Sequence, residues 1–155
     1  TWYQGGTEIV FACGGGIYTS AAEAAKKVGG KVIGVDTDQQ PIIDAAYGEG
    51  MTVTSAMKGL APTTIDTLTD VVINGKWADY AGKIDTLGLV SGDDASKNYV
   101  QIASSTKFVD GKFTAADYAA LVKGMFDGTI AVSNDISAIP ATTNTTVNDL
   151  GSIKG

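Results

Sequence analysis

Short apolar runs alternate with segments of helical spacing along the first half of the chain. The runs 8–13 and 31–35 are apolar and bounded by glycine, which is typical of buried strands. Between them, the alanine-rich segment 18–28 predicts a helix with a thin face that can pack closely on a sheet. Thr19 or Ser20, followed by Glu23, forms a candidate capping box for this helix.

The same pattern continues downstream with different elements. Polar and apolar positions predict a short helix at 41–47, a strand at 51–57, a helix at 62–74, a strand at 84–90 and a helix at 113–126. The helix at 62–74 is the clearest. Four of its apolar side chains fall on one face, namely Ile65, Leu68, Val71 and Val72. Thr114, with Asp117 three residues later, predicts a capped start for the last helix.

This order of elements predicts an α/β fold, with a largely parallel sheet flanked by helices and right-handed crossovers. In such folds ligands bind at the carboxyl ends of the strands. Three turns are expected there: Gly14-Gly15-Gly16, Asp36-Thr37-Asp38-Gln39 and Lys58-Gly59. The polar tail from Ser133 is expected to be an extended strap rather than a separate domain.

Composition excludes several classes of function. The 155 residues are 44% hydrophobic and 18% charged, as expected for one packed domain. A net charge of −6 repels phosphate backbones, so we expect no nucleic-acid partner. Without histidine the chain cannot form a Ser-His-Asp or Cys-His catalytic site. No apolar run approaches the ~20 residues of a membrane helix.

The single cysteine, Cys13, cannot form an internal disulfide or a cysteine-rich zinc site. Because it lies in an apolar run without an evident basic partner, we expect a buried core thiol. We expect neither a metal nor a cofactor, and we expect a binding protein rather than an enzyme.

The glycine turn and the following carboxylate fit two kinds of ligand. A dinucleotide site needs G-x-G-x-x-G and an acidic residue ~20 positions later. Gly14, Gly16 and Asp36 match this pattern, but Thr19 stands at the third glycine. A sugar site uses the same turn for its open backbone, and a carboxylate to accept hydrogen bonds from two neighbouring hydroxyls. Lys58 would then contact the sugar or hold the carboxylate.

Two segments carry a family resemblance. "IVFACGGGIYTSAAEAAKKVGGKVIGVDTDQ" and "VTSAMKGLAPTTIDTLTDVVINGKW" resemble the basic membrane protein family of bacterial lipoproteins, which are substrate-binding proteins of ABC transporters similar to purine nucleoside receptors. The resemblance covers roughly residues 5–92. It implies a lobe like those of type I periplasmic binding proteins, with Asp36 on ribose hydroxyls, Lys58 on the sugar, and Gly15 and Gly16 against the ligand.

The resemblance also implies an organisation for the chain. It would be the C-terminal portion of a two-lobed protein, with 1–58 in the second lobe, 59–132 partly in the first lobe, and 133–155 as the tail. Its expected partners are a nucleoside-type ligand and, in the full-length protein, a transporter permease. We expect that protein to be extracytoplasmic and lipid-anchored, with its signal peptide and lipobox upstream of this chain.

Other interpretations stay open at this point. The chain could instead be a Rossmann-like nucleotide-binding domain of an enzyme, or could bind nothing and pair with another copy. Asp36 could simply cap its turn, and Lys58 could be an ordinary surface lysine. The apolar face of helix 62–74 needs a covering surface, which could be this chain's own sheet, a second copy in a homodimer, or a separate N-terminal part.

Overall fold

The computed structural model describes residues 1–151, which form an α/β fold with one open, mixed sheet. The strands are β1 (Ile9–Phe11), β2 (Lys31–Asp36), β3 (Thr52–Lys58) and β4 (Val100–Ile102), and they lie in the order β1-β2-β3-β4. The helices are α1 (Tyr18–Lys26), α2 (Gln40–Tyr47), α3 (Leu60–Leu68), α4 (Trp77–Tyr80) and α5 (Ala115–Phe126). The first three strands are parallel and β4 is antiparallel to β3.

The core lies between the first half of the sheet and two helices. Helices α1 and α2 contact each other, and they contact β2 and β3 respectively, so they lie on the same face of the sheet. The predicted thin alanine face is what allows this packing, since Ala22 and Ala25 are fully buried against Val32 and Ile43. The small side chains of this face let α1 lie close to β2.

Several sequence predictions are confirmed by these elements. Helix α5 begins with the predicted capping box, in which Thr114 accepts from the Asp117 amide and the Asp117 side chain accepts from Thr114. The helix at 41–47 begins one residue earlier, with Pro41 in its first turn, where a missing amide hydrogen costs nothing. The three apolar runs at 8–13, 31–35 and 51–57 are the three parallel strands.

The cap predicted for the first helix is wrong. Helix α1 begins at Tyr18 after Ile17, and no side chain caps it. The glycine turn runs straight into the helix, with the Ile17 amide donating to the Gly14 carbonyl, so Thr19 and Ser20 lie inside the first turn.

The strand predicted at 84–90 is also wrong. Ile84 is almost fully exposed, and the segment has no ladder. Instead, the Val90 amide at its end, together with the Ser91 amide just beyond it, donates to Oδ1 of the fully buried Asn98. The strand that pairs with β3 is β4, which follows this segment. It was not predicted, because a strand of three residues is too short to show a recognisable alternation of apolar and polar positions.

The second half of the chain is less well packed than the first. Helix α3 starts two residues before the predicted helix and passes into a π-helical turn at Thr69–Ile73, with no buried residue in either part. The tail from Ser133 to Gly151 forms no helix or strand, and all of these residues are exposed. Among residues 1–151, none of the helices combines the length and the apolar character that a bilayer span requires.

Candidate functional site

The carboxyl ends of the parallel strands bring two charged side chains together. Asp36 is the last residue of β2 and Lys58 is the last residue of β3, and the register pairs Asp36 with Met57 next to Lys58. The Lys58 Nζ atom lies 2.7 Å from the Asp36 Oδ1 atom. Residues far apart in sequence thus form an ion pair at one edge of the sheet, because parallel strands end on the same side.

The backbone of Asp36 is held in an unusual conformation. Its φ angle is +69°, and it is the only residue other than glycine with a positive φ within 1–151. Aspartate tolerates the left-handed region better than most residues, but it still carries strain there. Such strain persists where the surrounding structure enforces it, and it is concentrated at functional sites. Here it turns the chain sharply as β2 leaves the sheet.

The Asp36 carboxylate retains capacity to accept hydrogen bonds. Its Oδ1 atom is buried and, within the described residues, its close partner is the Lys58 Nζ atom. The Asp36 side chain is one-third exposed (33%) and that of Lys58 two-thirds (67%). A ligand at this edge can therefore reach both groups.

The charge of Lys58 is stabilised by its neighbours. The hydrogen bond to Asp36 and the negative charge of that carboxylate raise the pKa of Lys58, and the Cys13 thiol adds a smaller electrostatic contribution. The lysine is therefore a cation at neutral pH, able to donate to hydroxyl or carbonyl oxygens of a ligand while it holds the carboxylate.

The glycine turn lies at the same edge. Gly15 has a φ of +35°, and an added Cβ at Gly15 or Gly16 would meet no atom within 4 Å. The backbone at these two positions is thus open to approach, as a ligand contacting amide groups requires. At Gly14, in contrast, a Cβ would lie 3.0 Å from the Ile17 side chain.

Gln39 joins the glycine turn to the end of β2, although its sequence position alone did not predict a site residue. Its Nε2 donates to the Gly15 carbonyl at 3.0 Å, and its Oε1 accepts from the Val35 amide at 2.9 Å. Its own amide donates to Ser55 Oγ at 3.1 Å. The available signal was its place in "IGVDTDQ", next to the two aspartates.

Gly34 makes room for this bridge. A Cβ on Gly34 would lie 2.5 Å from Ser55 Oγ and 3.0 Å from both Gln39 Cβ and Oε1. Only glycine lets the Gln39 side chain cross over β2 and reach the turn after β1. Gly34 therefore positions the turn indirectly.

Asp38 has a structural role at this edge. Its Oδ1 accepts from the Gln40 amide at 3.1 Å and from Ser105 Oγ at 2.8 Å. The first bond closes a turn just before α2, as expected for an aspartate in a turn, and the second ties the loop after β4 to this edge. Of the two aspartates in the turn, Asp38 is therefore tied to neighbouring loops, whereas Asp36 pairs with Lys58.

The prediction that Cys13 is buried is wrong. The apolar run that contains it leaves the sheet at Phe11, so Cys13 lies beyond the strand and its side chain is exposed. It is near enough to Lys58 to influence the pKa of that lysine. No group of three or more potential metal ligands occurs among residues 1–151.

Comparison with known proteins does not assign the chain to a family. Neither a protein-family model nor a curated protein matches the sequence. The resemblance to the lipoprotein family therefore rests on the motifs quoted above, and the roles that it implies for Asp36, Lys58, Gly15 and Gly16 stay predictions.

Proposed function

We propose that this chain is part of an extracytoplasmic solute-binding component of an ABC transporter, which binds a nucleoside or a related sugar-containing ligand. The observation that carries the proposal is the ion pair of Asp36 and Lys58, 2.7 Å apart and accessible at the carboxyl edge of the sheet. A carboxylate of this kind can accept hydrogen bonds from two neighbouring hydroxyls at once. Such hydrogen bonds are charge-assisted and therefore stronger than those between neutral groups.

Three further features support a sugar ligand. The Gly15-Gly16 backbone is open beside the pair, and Gln39 fixes the turn relative to β2. The lysine supplies a donor next to the carboxylate. The motifs "IGVDTDQ" and "TSAMK" supply these residues in the order seen in the lipoprotein family. A type I periplasmic-binding-protein-like lobe, a lipid anchor and a permease partner belong to the proposal through this resemblance alone.

The competing dinucleotide function has one observation in its favour. The glycine turn leads from β1 directly into α1, and Asp36 ends the neighbouring strand, which is the layout of a dinucleotide site. Two features oppose it. Thr19 stands where the third glycine belongs, and the fourth strand pairs antiparallel with β3 instead of joining the free side of β1.

Titration calorimetry with a ribonucleoside, its 2′-deoxy counterpart and NAD distinguishes the two functions. We expect the ribonucleoside to bind about tenfold or more tightly than the deoxy form, because the latter loses one hydrogen bond to a charged group. Binding of NAD without any response to nucleosides would support the dinucleotide function and reject ours. A chain that binds no nucleoside would also reject it.

Variants locate the site. Asp36→Asn keeps the size of the side chain and a residue type that readily adopts a positive φ, but it removes the negative charge. Lys58→Met removes the hydrogen-bond donor. We expect each to weaken nucleoside binding. Asp110→Asn and Lys27→Met are matched controls, because both residues are exposed and lie outside the strand-end turns. Equal losses in the controls would contradict the assignment of Asp36 and Lys58.

A further inference from the structure

One exposed asparagine of this chain is followed by glycine. The sequence contains five asparagines, and Asn74 is the one with glycine as its next residue. It comes directly after the π-helical turn, and both Asn74 and Gly75 are exposed. Asparagine is a chemically labile residue, because its side-chain amide carbon can form a five-membered ring with the next backbone nitrogen. This reaction needs no second protein and no cofactor.

The backbone nitrogen that would attack the amide is unhindered. The amides of Asn74 and Lys76, on either side of it, each donate to a backbone carbonyl at 2.9 Å, whereas none of the hydrogen bonds within residues 1–151 uses the Gly75 amide. Gly75 has a φ of +66°, and an added Cβ there would meet no atom within 4 Å. The nitrogen is therefore free of a competing acceptor, and its own residue has no side chain to shield it.

The other asparagines do not combine these features. Asn98 is fully buried, its side-chain oxygen accepts from two backbone amides, and its side-chain nitrogen donates to the Ser91 carbonyl. Asn134, Asn144 and Asn148 are exposed, but each is followed by aspartate or threonine, whose side chain stands beside the backbone nitrogen. Exposure alone therefore does not distinguish Asn74, and the glycine after it does.

We propose that Asn74 is a site of spontaneous backbone modification, in which it forms a succinimide with Gly75 and then opens to a carboxylate that breaks its contact with Asp70. The Gly75 nitrogen bonds to the Asn74 Cγ atom, the bond from Cγ to Nδ2 breaks, and ammonia leaves with the proton from the Gly75 nitrogen. Water then opens the ring at either carbonyl and gives aspartate or isoaspartate. The overall reaction is a hydrolysis, so no oxidant or reductant takes part. This inference is independent of the proposed ligand.

The Asn74 amide belongs to a cluster of hydrogen bonds around Asp70. Its Nδ2 donates to Asp70 Oδ1 at 2.9 Å, and the same oxygen accepts from Lys76 at 3.1 Å. Asp70 Oδ2 accepts from the Tyr80 hydroxyl at 3.0 Å. The hydrogen bonds from Asn74, Lys76 and Tyr80 lower the pKa of Asp70, so this carboxylate is charged at neutral pH. The cluster links the π-helical turn to α4.

Modification replaces a donor in this cluster with a second carboxylate. Like charges at this separation repel, so the new carboxylate opposes Asp70 where the amide bound it. Lys76 must then neutralise two negative charges. Isoaspartate also lengthens the main chain between the π-helical turn and α4 by one atom. Because these groups are exposed, we expect a local loosening that leaves the core around Val32 and Ile43 intact.

Incubation of the purified chain at mildly alkaline pH, followed by digestion and mass spectrometry, measures the loss of ammonia at each asparagine. We expect the peptide with Asn74 to gain the mass difference between an amide and an acid at least several-fold faster than the peptides with the other four. Chromatography should separate two products, aspartate and isoaspartate. Aspartate alone would indicate direct hydrolysis of the amide and would overturn the succinimide.

Two glycine substitutions form a matched pair. Gly75 and Gly82 both have a positive φ, +66° and +72°, and an added Cβ would meet no atom within 4 Å at either. Only Gly75→Ala puts a side chain beside the attacking nitrogen, so we expect it to slow the reaction at Asn74 several-fold and Gly82→Ala to leave the rate unchanged. Equal rates in both variants and the unmodified chain would overturn the proposal. So would a rate at Asn74 no faster than at the exposed asparagines of the tail.

Hydrogen exchange of the segment 69–80 tests the effect on the Asp70 cluster. We expect the incubated chain and fresh Asn74→Asp to exchange faster in this segment than the fresh unmodified chain. Asn74→Gln keeps an amide and cannot form the five-membered ring, so its exchange should not change on incubation. An incubated chain that is fully converted at position 74 but exchanges as before would overturn the proposed loss of the contact with Asp70.

Discussion

At the scale of single residues, Asp36 holds a left-handed backbone conformation at the end of β2 while its carboxylate pairs with Lys58. An aspartate at the end of a strand is ordinary, and only the structure shows that its φ is +69°. The ion pair with Lys58, in contrast, could be predicted from the positions of the two residues at the ends of neighbouring strands. Gln39 and Gly34 were missed because their importance lies in contacts with Ser55 and Gly15, which sequence spacing does not show.

The strain at Asp36 can be measured with two substitutions that remove the same carboxylate. Asp36→Gly relieves the left-handed strain and Asp36→Ala does not, so we expect the glycine variant to be more stable by about 1 kcal/mol. At Asp38, where φ is not positive, the order should reverse, because glycine there only adds entropy to the unfolded chain. Urea denaturation of the four variants gives the free energies. If the alanine variant at Asp36 is as stable as the glycine variant, the inference that the backbone is strained at this position is wrong.

The crowding at Gly34 gives a second prediction at this scale. Gly34→Ala places a Cβ 2.5 Å from Ser55 Oγ, so we expect a loss of about 1–3 kcal/mol of unfolding free energy and a displaced Gln39. Gly16→Ala is the control, since its Cβ meets no atom within 4 Å and its φ is not positive. Similar stability losses in the two variants would show that the Gln39 bridge is not crowded as described.

At the scale of elements, local sequence patterns predicted most of the helices and strands, but not all of them. The alanine face of α1 and the capping box of α5 are local patterns, and both are confirmed. The segment 84–90 has the apolar character of a strand but bonds to Asn98 instead. The Asn98 side chain, seven or eight residues downstream, accepts hydrogen bonds from amides that could otherwise have paired with a neighbouring strand. No pattern within the segment itself indicates this.

Asp44 stabilises the connection between α2 and β3. It accepts from the amides of Gly50 and Thr52, both at 2.9 Å, and from the Gln40 side chain at 2.8 Å. Burial alone would raise the pKa of Asp44, but the hydrogen bonds from Gln40, Gly50 and Thr52 outweigh it and lower the pKa. The carboxylate thus holds the turn that leads into the central strand of the site.

We expect Asp44→Ala to lower the free energy of unfolding at neutral pH by about 1–3 kcal/mol, because it leaves two backbone amides without their acceptor. Since the folded pKa is lowered, the stabilisation is present above the ordinary carboxyl pKa and is lost as the pH falls through the folded value. The difference in free energy of unfolding between Asp44→Ala and the unmodified chain should therefore become smaller at acidic pH. Urea denaturation at neutral and acidic pH measures it, with Asp110→Ala, at an exposed aspartate outside this turn, as the control. A difference that stays constant would contradict this role.

At the scale of the whole molecule, the sequence predicted the α/β class and the largely parallel sheet, but not how unevenly the chain is packed. Tyr3, Ala22, Val32, Ile43 and Met51 form a core with the first half of the sheet, while α3 contributes no buried side chain. Helical periodicity shows which side of α3 is apolar, but it cannot show whether that side faces inward. In this chain the polar side faces the body.

The tail from Ser133 gives the last prediction. Every residue from 133 to 151 is exposed, and the hydrogen bonds of Ser133, Asp135 and Asp149 are made within the tail itself. Truncation after Val132 therefore removes no buried apolar surface, and we expect the melting temperature to change by no more than about 2 °C. The same truncation should leave the nucleoside affinity unchanged, because the carboxyl edge of the sheet is built from residues before Lys107. Thermal unfolding followed by circular dichroism measures the first expectation and calorimetry the second. A fall of many degrees would instead mean that the tail packs against the body and stabilises it.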